Sequence, residues 1–319
     1  MFEILLEVIE QHDSIVIFGH YFPDGDCYGS QIGLRDVLRL NYPNKKVYAT
    51  GSGLRRYASF ISKMDVVDDK TIKKSLAILV DGNDVERMED QRVVNAKAFI
   101  KIDHHMENFK FTEGPFVLDT DANSTCELIV RFIQECNWKI NPTIANALFL
   151  GILTDSGRFQ FVEDFPSCFH EVAWLCENGA DPQRINSILN ISNEAALKFK
   201  GYVYTNYKTT KHGVIYITFK KEKLRKLKVS AAKAGTMVNL LSNVVGYPIW
   251  AFFCENPDGT SHSEFRSNGP GVQPVAAKYG GGGHYHAAGV TMPDISNETV
   301  KMLLDDLDQA IIDYKKEHK

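Results

Sequence analysis

Four short apolar runs in this chain each stop on a carboxylate. SIVIFG (14–19) gives way to His20, Asp24 and Asp26, LAILVDG (76–82) to Asp81, AKAFIKID (96–103) to Asp103, His104 and His105, and LFLGILTD (148–155) to Asp155. A single acid at such a point is ordinarily a helix cap or a turn residue. Four of them constrain the fold, because neighbouring parallel strands deliver their carboxyl ends to one edge of a sheet, and ligands of open α/β sheets sit along that edge.

The spacing between the runs supports such a sheet. Strands are predicted at 14–19, 46–50, 76–82 and 96–103, with a helix at 25–41 between the first two, so βαβ units and a mainly parallel sheet follow. Gly29 and Gly33, four apart on one helix face, predict close packing of that helix on the sheet. Ser124 and Glu127 have capping-box spacing, and Asn141-Pro142 and Asp181-Pro182 read as N-cap and first helical residue. Beyond about residue 206 the pattern changes: GVIYITF (213–219), a basic stretch over 220–233, a hairpin around Pro257-Asp258-Gly259 and a final amphipathic helix. The fold class is therefore α/β, with an N-terminal mainly parallel-sheet domain (1–190), a helical linker (191–205) and a smaller C-terminal mixed α+β domain (206–319).

A formal net charge of −4 excludes a generally basic nucleic-acid coat protein. No run of about 18 apolar residues occurs, and the first residues, MFEILLEVIE, suit an amphipathic helix rather than a signal peptide. The six cysteines form no C-x-x-C pair. A cytoplasmic, reducing compartment and no membrane partner are the expectations.

Convergence of the acids has an electrostatic cost. Two carboxylates ~4 Å apart repel by about 4 kcal/mol at an effective dielectric of ~20, so four together must either bind protons or bind cations. Two divalent ions balance four aspartates. A carboxylate-rich set with two imidazoles suits Mn²⁺, with Mg²⁺ or Co²⁺ as substitutes, better than zinc. The spacing His-x-x-x-Asp-x-Asp suits two ions, one taking His20 and Asp24, the other Asp26, with Asp81 and Asp155 as natural bridges.

GHYFPDGD, LVDG, IDHH and ILTDSGRF resemble the four ordered motifs of the DHH phosphoesterases, and GGGGHYHAAG and FRSNGP resemble segments of the DHH-associated domain that follows them. The similarity spans nearly the whole chain and is greatest to the nanoRNase branch. It implies a metal-dependent phosphodiesterase with its active site in the cleft between the two domains. The substrates implied are short oligoribonucleotides and linear dinucleotides (pApA or pGpG), with adenosine 3′,5′-bisphosphate as a further phosphatase substrate. It also implies metal ligation by His20, Asp24, Asp26, Asp81, His104 and Asp155, a role for His105 against the scissile phosphate, and an orienting role for Asp103.

Glycines at 280–283, here Gly281, Gly282 and Gly283 above all, read as backbone that approaches a phosphate closely. His284, Arg266 and Ser267 read as the grip on a terminal phosphate, and Arg158 as a further cleft residue. The basic run 220–233 reads as a solvated face, and Tyr202, Tyr204 and Tyr207 as core by their helical spacing. Long duplex DNA is not an expected partner, whereas a homodimer is compatible with the resemblance. The competing readings are a cyclic-dinucleotide phosphodiesterase, a pyrophosphatase or polyphosphatase and, from another class, a non-catalytic nucleotide-binding sensor. A sensor usually loses a ligand, and here every acid and imidazole position is filled.

Overall fold

The computed structural model describes residues 2–53, 61–82, 85–105, 111, 113–162 and 164–318. It divides into two compact units, Met1–Ile191 and Ser192–Lys319. The first unit runs α1 (Glu3–Glu10), β1 (Ser14–Phe18), α2 (Gly25–Asn41), β2 (Lys46–Ala49), α3 (Asp69–Ile72), β3 (Leu76–Val80), β4 (Ala98–Asp103), β5 (Phe116–Leu118), α4 (Thr125–Glu135), α5 (Pro142–Asp155), α6 (Phe165–Glu177) and α7 (Pro182–Asn190). Its strands form one sheet in the order β2-β1-β3-β4-β5, with every pairing parallel. The order reverses between β1 and β3, and in open α/β sheets the crevice beyond the strand ends at such a reversal is the ligand site.

The sheet is covered on both faces, which is why its strands are almost uniformly apolar. On β3, Leu76, Ile78 and Val80 join the core beneath α1, α2, α4 and α5, while Ala77 and Leu79 point into a second cluster with Phe18, Ile72 and Met88. The helix starts follow their sequence signals. Ser124 Oγ accepts from Glu127 N at 3.1 Å, Asn141 Oδ1 from Thr143 N at 3.0 Å and Asp181 Oδ1 from Arg184 N at 2.9 Å.

Gly29 and Gly33 of α2 have a different neighbour from the one expected. A Cβ on Gly29 would lie 2.4 Å from Ala147 O, and one on Gly33 would lie 2.5 Å from Leu148 Cδ2. The close approach is therefore to α5, not to the sheet. Gly29→Ala is expected to destabilise the protein by roughly 2 kcal/mol, because the obstruction is backbone and cannot move aside, instead of gaining the ~1 kcal/mol that alanine brings to an open helix position. The midpoint of urea unfolding measures the sign.

The second unit runs α8 (Glu194–Asn206), β6 (Lys208–Thr209), β7 (Val214–Phe219), α9 (Lys221–Leu227), α10 (Ala231–Gly235), β8 (Ile249–Glu255), β9 (Ser261–Ser267), α11 (Gln273–Lys278), β10 (Gly282–His284), β11 (Ala287–Met292) and α12 (Asn297–Glu317). Its sheet, in the order β10-β11-β9-β8-β7-β6, is mixed, with β7 and β8 the parallel pair. Strands β8 and β9 are the hairpin around the Pro257-Asp258-Gly259 turn. α8 packs Phe199 and Val203 into one core face, with Tyr202 against it, but Tyr204 and Tyr207 are about half exposed, so only the first of the three tyrosines is a packing residue. Among the described residues no helix is long and apolar enough to cross a membrane.

Candidate metal centre

The chain leaving β1 bends at Tyr21 and Phe22 and enters α2, and Asp24 makes that entry possible. Its Oδ1 accepts from the backbone N of Asp26 and of Cys27, each at 3.0 Å, which satisfies N–H groups that the first helical turn cannot pair internally. Asp26, in the first turn, is buried and points at the start of α4, where its two oxygens accept from Thr125 N at 2.7 Å and Cys126 N at 2.9 Å. The N-terminal dipole of α4 thus supports a carboxylate that burial opposes.

Asp81 follows the last residue of β3 with φ +56°, a left-handed conformation uncommon for any residue but glycine, asparagine and aspartate. It is 2 % exposed. Thr125 Oγ1 donates to its Oδ1 at 3.2 Å, and His20 Nε2 lies 3.5 Å from its Oδ2. Asp155, the last residue of α5, places Oδ2 at 3.2 Å from His104 Nε2. The same nitrogen is 3.7 Å from Asp81 Oδ1 and 3.9 Å from Asp26 Oδ2.

Asp103 closes β4 and is fully buried. Its Oδ1 accepts from His104 N (2.8 Å), His105 N (3.1 Å) and His105 Nδ1 (2.9 Å), and Lys101 Nζ lies 3.0 Å from its Oδ2. One carboxylate thereby fixes the backbone and one ring of the histidine pair. The second ring is fixed separately, with His104 Nδ1 3.2 Å from the carbonyl of Ala122. If Nδ1 donates there, Nε2 carries the lone pair, the form that ligates metal.

Electrostatics sharpens the picture. Burial, then the charges of Asp26 and Asp24, push the Asp155 carboxyl up to about 8. Burial and the same neighbours, with Asp155 and Asp103, hold Asp81 well above the usual carboxylate range. Burial alone would lower His105, but the hydrogen bond and charge of Asp103 outweigh it and raise the imidazole. Asp103, although buried, is held below its ordinary value by His105 and Lys101. Burial and the charges of Asp81 and Asp24 push the Cys27 thiol far up.

The donor set fits divalent cations. His104 Nε2 is buried with no hydrogen-bond partner among the described residues, although three carboxylates surround it. Three groups of donor atoms lie within 4.8 Å of one another: His20, Cys27 and Asp81; Asp81, His104 and His105; and Asp26, His104 and Asp155. Aspartates pushed towards protonation, facing imidazoles that cannot hydrogen-bond to them, gain most from a metal ion.

The structure therefore brings His20, Asp24, Asp26, Asp81, Asp103, His104, His105 and Asp155 together. Arg158 stands apart. It is exposed, on a left-handed turn of Gly157, Arg158 and Phe159 with φ of +58°, +61° and +65°, and takes no part in the hydrogen-bonded cluster. Thr125 and Lys101 are additions that sequence reasoning missed. Lys101 had a readable signal, since residues 101 and 103 of a strand share a face.

In the second unit, the glycine-rich segment is built into the sheet. Gly282–His284 is the edge strand β10, paired with β11 across a turn at Tyr285 and His286. A Cβ on Gly281 would lie 2.3 Å from Gly289 O and one on Gly283 would lie 2.4 Å from Ala287 O, so sheet packing accounts for these two. Gly282 faces open space, and His284 is exposed. Arg266 pairs with Ala287 in register, its Nη1 donating to Glu264 Oε2 and Phe265 O, both at 2.8 Å, and Ser267 Oγ lies 3.1 Å from His286 Nδ1. FRS and GGGGH are thus neighbours, with Arg266 already braced by an acid.

Comparison with known proteins agrees with this architecture. Residues 14–152 match the DHH family, N-terminal domain, and residues 205–313 match the DHHA1 domain. The bifunctional oligoribonuclease and PAP phosphatase NrnA of Mycoplasma genitalium is 36% identical over 94% of this chain and 96% of its own. The protein of the same name from Bacillus subtilis is 32% identical over 90% of this chain and 92% of its own. The crystal structure of an exopolyphosphatase-related protein from Bacteroides fragilis, 25% identical, superposes with a TM-score of 0.85 over 99% of this chain and 96% of its own. The acid-bearing segments at 20–26, 81, 103–105 and 155, folded into one cluster and followed by a DHHA1 domain, place this chain in the DHH family.

Proposed function

We propose that this protein is a Mn²⁺-dependent phosphodiesterase that hydrolyses short oligoribonucleotides and linear dinucleotides to mononucleotides, and that it also dephosphorylates adenosine 3′,5′-bisphosphate. The observation that carries the reading is the cluster around His104 Nε2, a buried nitrogen within 4 Å of carboxylates of Asp26, Asp81 and Asp155. The names of the relatives, oligoribonuclease and PAP phosphatase, support the substrate class. We assign His20, Asp24, Asp26, Asp81, His104 and Asp155 as ligands of two ions, with Mg²⁺ or Co²⁺ as substitutes. When bound, the ions supply positive charge that activates water and offsets the charge developing on the phosphoryl oxygens.

The chain's own groups do the rest. His105, held by Asp103 through Nδ1, presents its other ring nitrogen to the phosphate or to the leaving oxygen. Asp103 holds that ring and the backbone at His104 in place. Asp103→Asn is expected to lower metal affinity by about 10–100-fold, as loss of a ligand-orienting contact does, and isothermal titration with Mn²⁺ measures it. In the second unit Arg266, Ser267, Gly281, Gly282, Gly283 and His284 are assigned to the substrate's terminal phosphate, and in the first Arg158 to its flank. A homodimer is the assembly we propose.

The test is a substrate panel. Purified protein with Mn²⁺ is incubated with pApA, pGpG, a 24-mer RNA, adenosine 3′,5′-bisphosphate, a cyclic dinucleotide and pyrophosphate, and the products are separated chromatographically. Linear dinucleotides are expected to give the highest kcat/KM. Faster turnover of the cyclic dinucleotide or of pyrophosphate contradicts the assignment.

A further inference from the structure

The three donor groups of the metal cluster are chemically unequal. Two of them, Asp26 with His104 and Asp155, and Asp81 with His104 and His105, offer nitrogen and oxygen only, whereas the third, His20 with Cys27 and Asp81, contains a sulfur. Its three donor atoms lie within 4.8 Å of one another. His20 Nδ1 is engaged at 2.9 Å with the carbonyl of Tyr21, and Nε2 faces Asp81 Oδ2 at 3.5 Å. Donors on a tetrahedral ion with bonds of about 2.0–2.3 Å stand roughly 3.5 Å apart.

Cys27 is placed there by backbone. It lies in the first turn of α2, fully buried, and a Cβ on Gly19 would come within 2.4 Å of its Sγ, so the missing side chain at 19 makes the room the thiol occupies. Its own contacts are weak, 3.9 Å to His20 O and 3.8 Å to Gln31 Oε1. Turning to a cation would give up only these two weak contacts, and the ion's charge would offset the burial and acidic neighbours that oppose a thiolate.

We infer that Cys27, with His20 and Asp81, forms a site for thiophilic divalent ions, Zn²⁺ and Cd²⁺, on the His20 side of the cluster. Thiolate is a soft ligand that favours these ions over Mn²⁺ and Mg²⁺ more strongly than the nitrogen and oxygen donors of the two sulfur-free groups do. On binding, the Cys27 S–H bond breaks, the sulfur electron pair goes to the ion and the proton leaves to solvent. Nothing is oxidised or reduced. If the cluster works as proposed above, such an ion displaces the oxygen-preferring one at a single position and stops turnover by substitution rather than by blocking substrate.

The experiment uses the full chain carrying Cys176→Ser, which removes an exposed thiol, freed of metal and titrated with Cd²⁺ while the ultraviolet thiolate-to-cadmium charge-transfer band is recorded. A band saturating at about one equivalent is expected. It should persist with Cys126→Ser added and vanish with Cys27→Ser added, alongside a fall of tenfold or more in Cd²⁺ affinity. No band, or a band that survives Cys27→Ser, overturns the inference. Cadmium-113 NMR of the unsubstituted protein reads the same point without relying on a variant that folds. A resonance in the sulfur-ligated range is expected, and one in the purely nitrogen and oxygen range overturns it. Neither readout involves hydrolysis, so a failed dinucleotide assay and a missing thiolate band are separate results.

Discussion

Asp81→Asn is expected to lower kcat for a linear dinucleotide by on the order of 10³-fold, the scale of removing one preorganised charge-stabilising group, while leaving the metal-free protein at least as stable as the parent. Both halves follow from the same geometry. Asp81 belongs to two of the three donor groups, so its charge is the one the cluster shares most widely. Without metal that charge is a liability, because the carboxyl is buried and faces Asp24, Asp26, Asp103 and Asp155. Asparagine keeps an oxygen for Thr125 Oγ1 and tolerates the left-handed backbone at this position. Steady-state kinetics at saturating Mn²⁺ and a thermal melt in chelator read the two halves separately. A variant that is inactive and also much less stable would point to a structural role for Asp81.

The second large effect is the response of stability to pH. A carboxyl raised from 3.8 to about 8 in the folded state, as Asp155 is, makes the fold take up a proton that the unfolded chain has already lost. Its contribution is fully present below pH about 4 and is lost as pH rises through about 8. Asp81 is shifted in the same direction, and His105, raised by Asp103, also loses its contribution as pH rises. In chelator, the melting temperature is therefore expected to fall between pH 5 and pH 8.5, by on the order of 5 °C. Saturating Mn²⁺ supplies the missing positive charge, so the rise in melting temperature on adding it should be larger at pH 8.5 than at pH 5. A metal-induced shift that shrinks with pH would mean the ion sits elsewhere.

The parts of this centre that were legible in the sequence are those carried by local signals. Apolar runs ending in His20, Asp81 and Asp103 became strand ends because β-strands bury uniformly when a sheet is covered on both faces. Asn141, Ser124 and Asp181 became caps because their side chains reach an N–H only two or three residues away. What stayed hidden depends on partners far along the chain. Asp26 reads as an ordinary first-turn acid, and nothing local reveals that its oxygens are held by Thr125 and Cys126, a hundred residues later. The glycines of α2 show that something comes close but not that it is α5, since a glycine records a missing side chain and not the identity of the neighbour. The glycine-rich segment is a further case, because nothing local reveals that side chains at Gly281 and Gly283 would meet the carbonyls of β11.

Lys101 illustrates the reverse case. A lysine inside an apolar strand looks like a flaw in the pattern, yet its burial next to Asp103 supplies the charge that keeps this carboxylate ionised and available to the histidine pair. The sensor reading sits poorly with such provision, because a nucleotide pocket without chemistry has no need of an imidazole held by a buried carboxylate at a cluster of acids.

The most direct measurement combines metal content and product in one sample: protein dialysed against Mn²⁺, assayed for bound metal, then mixed with pApA and followed by chromatography. The account predicts about two ions per chain, the number that balances four aspartates, and conversion of pApA to AMP. Failure to release AMP at saturating Mn²⁺ would contradict it.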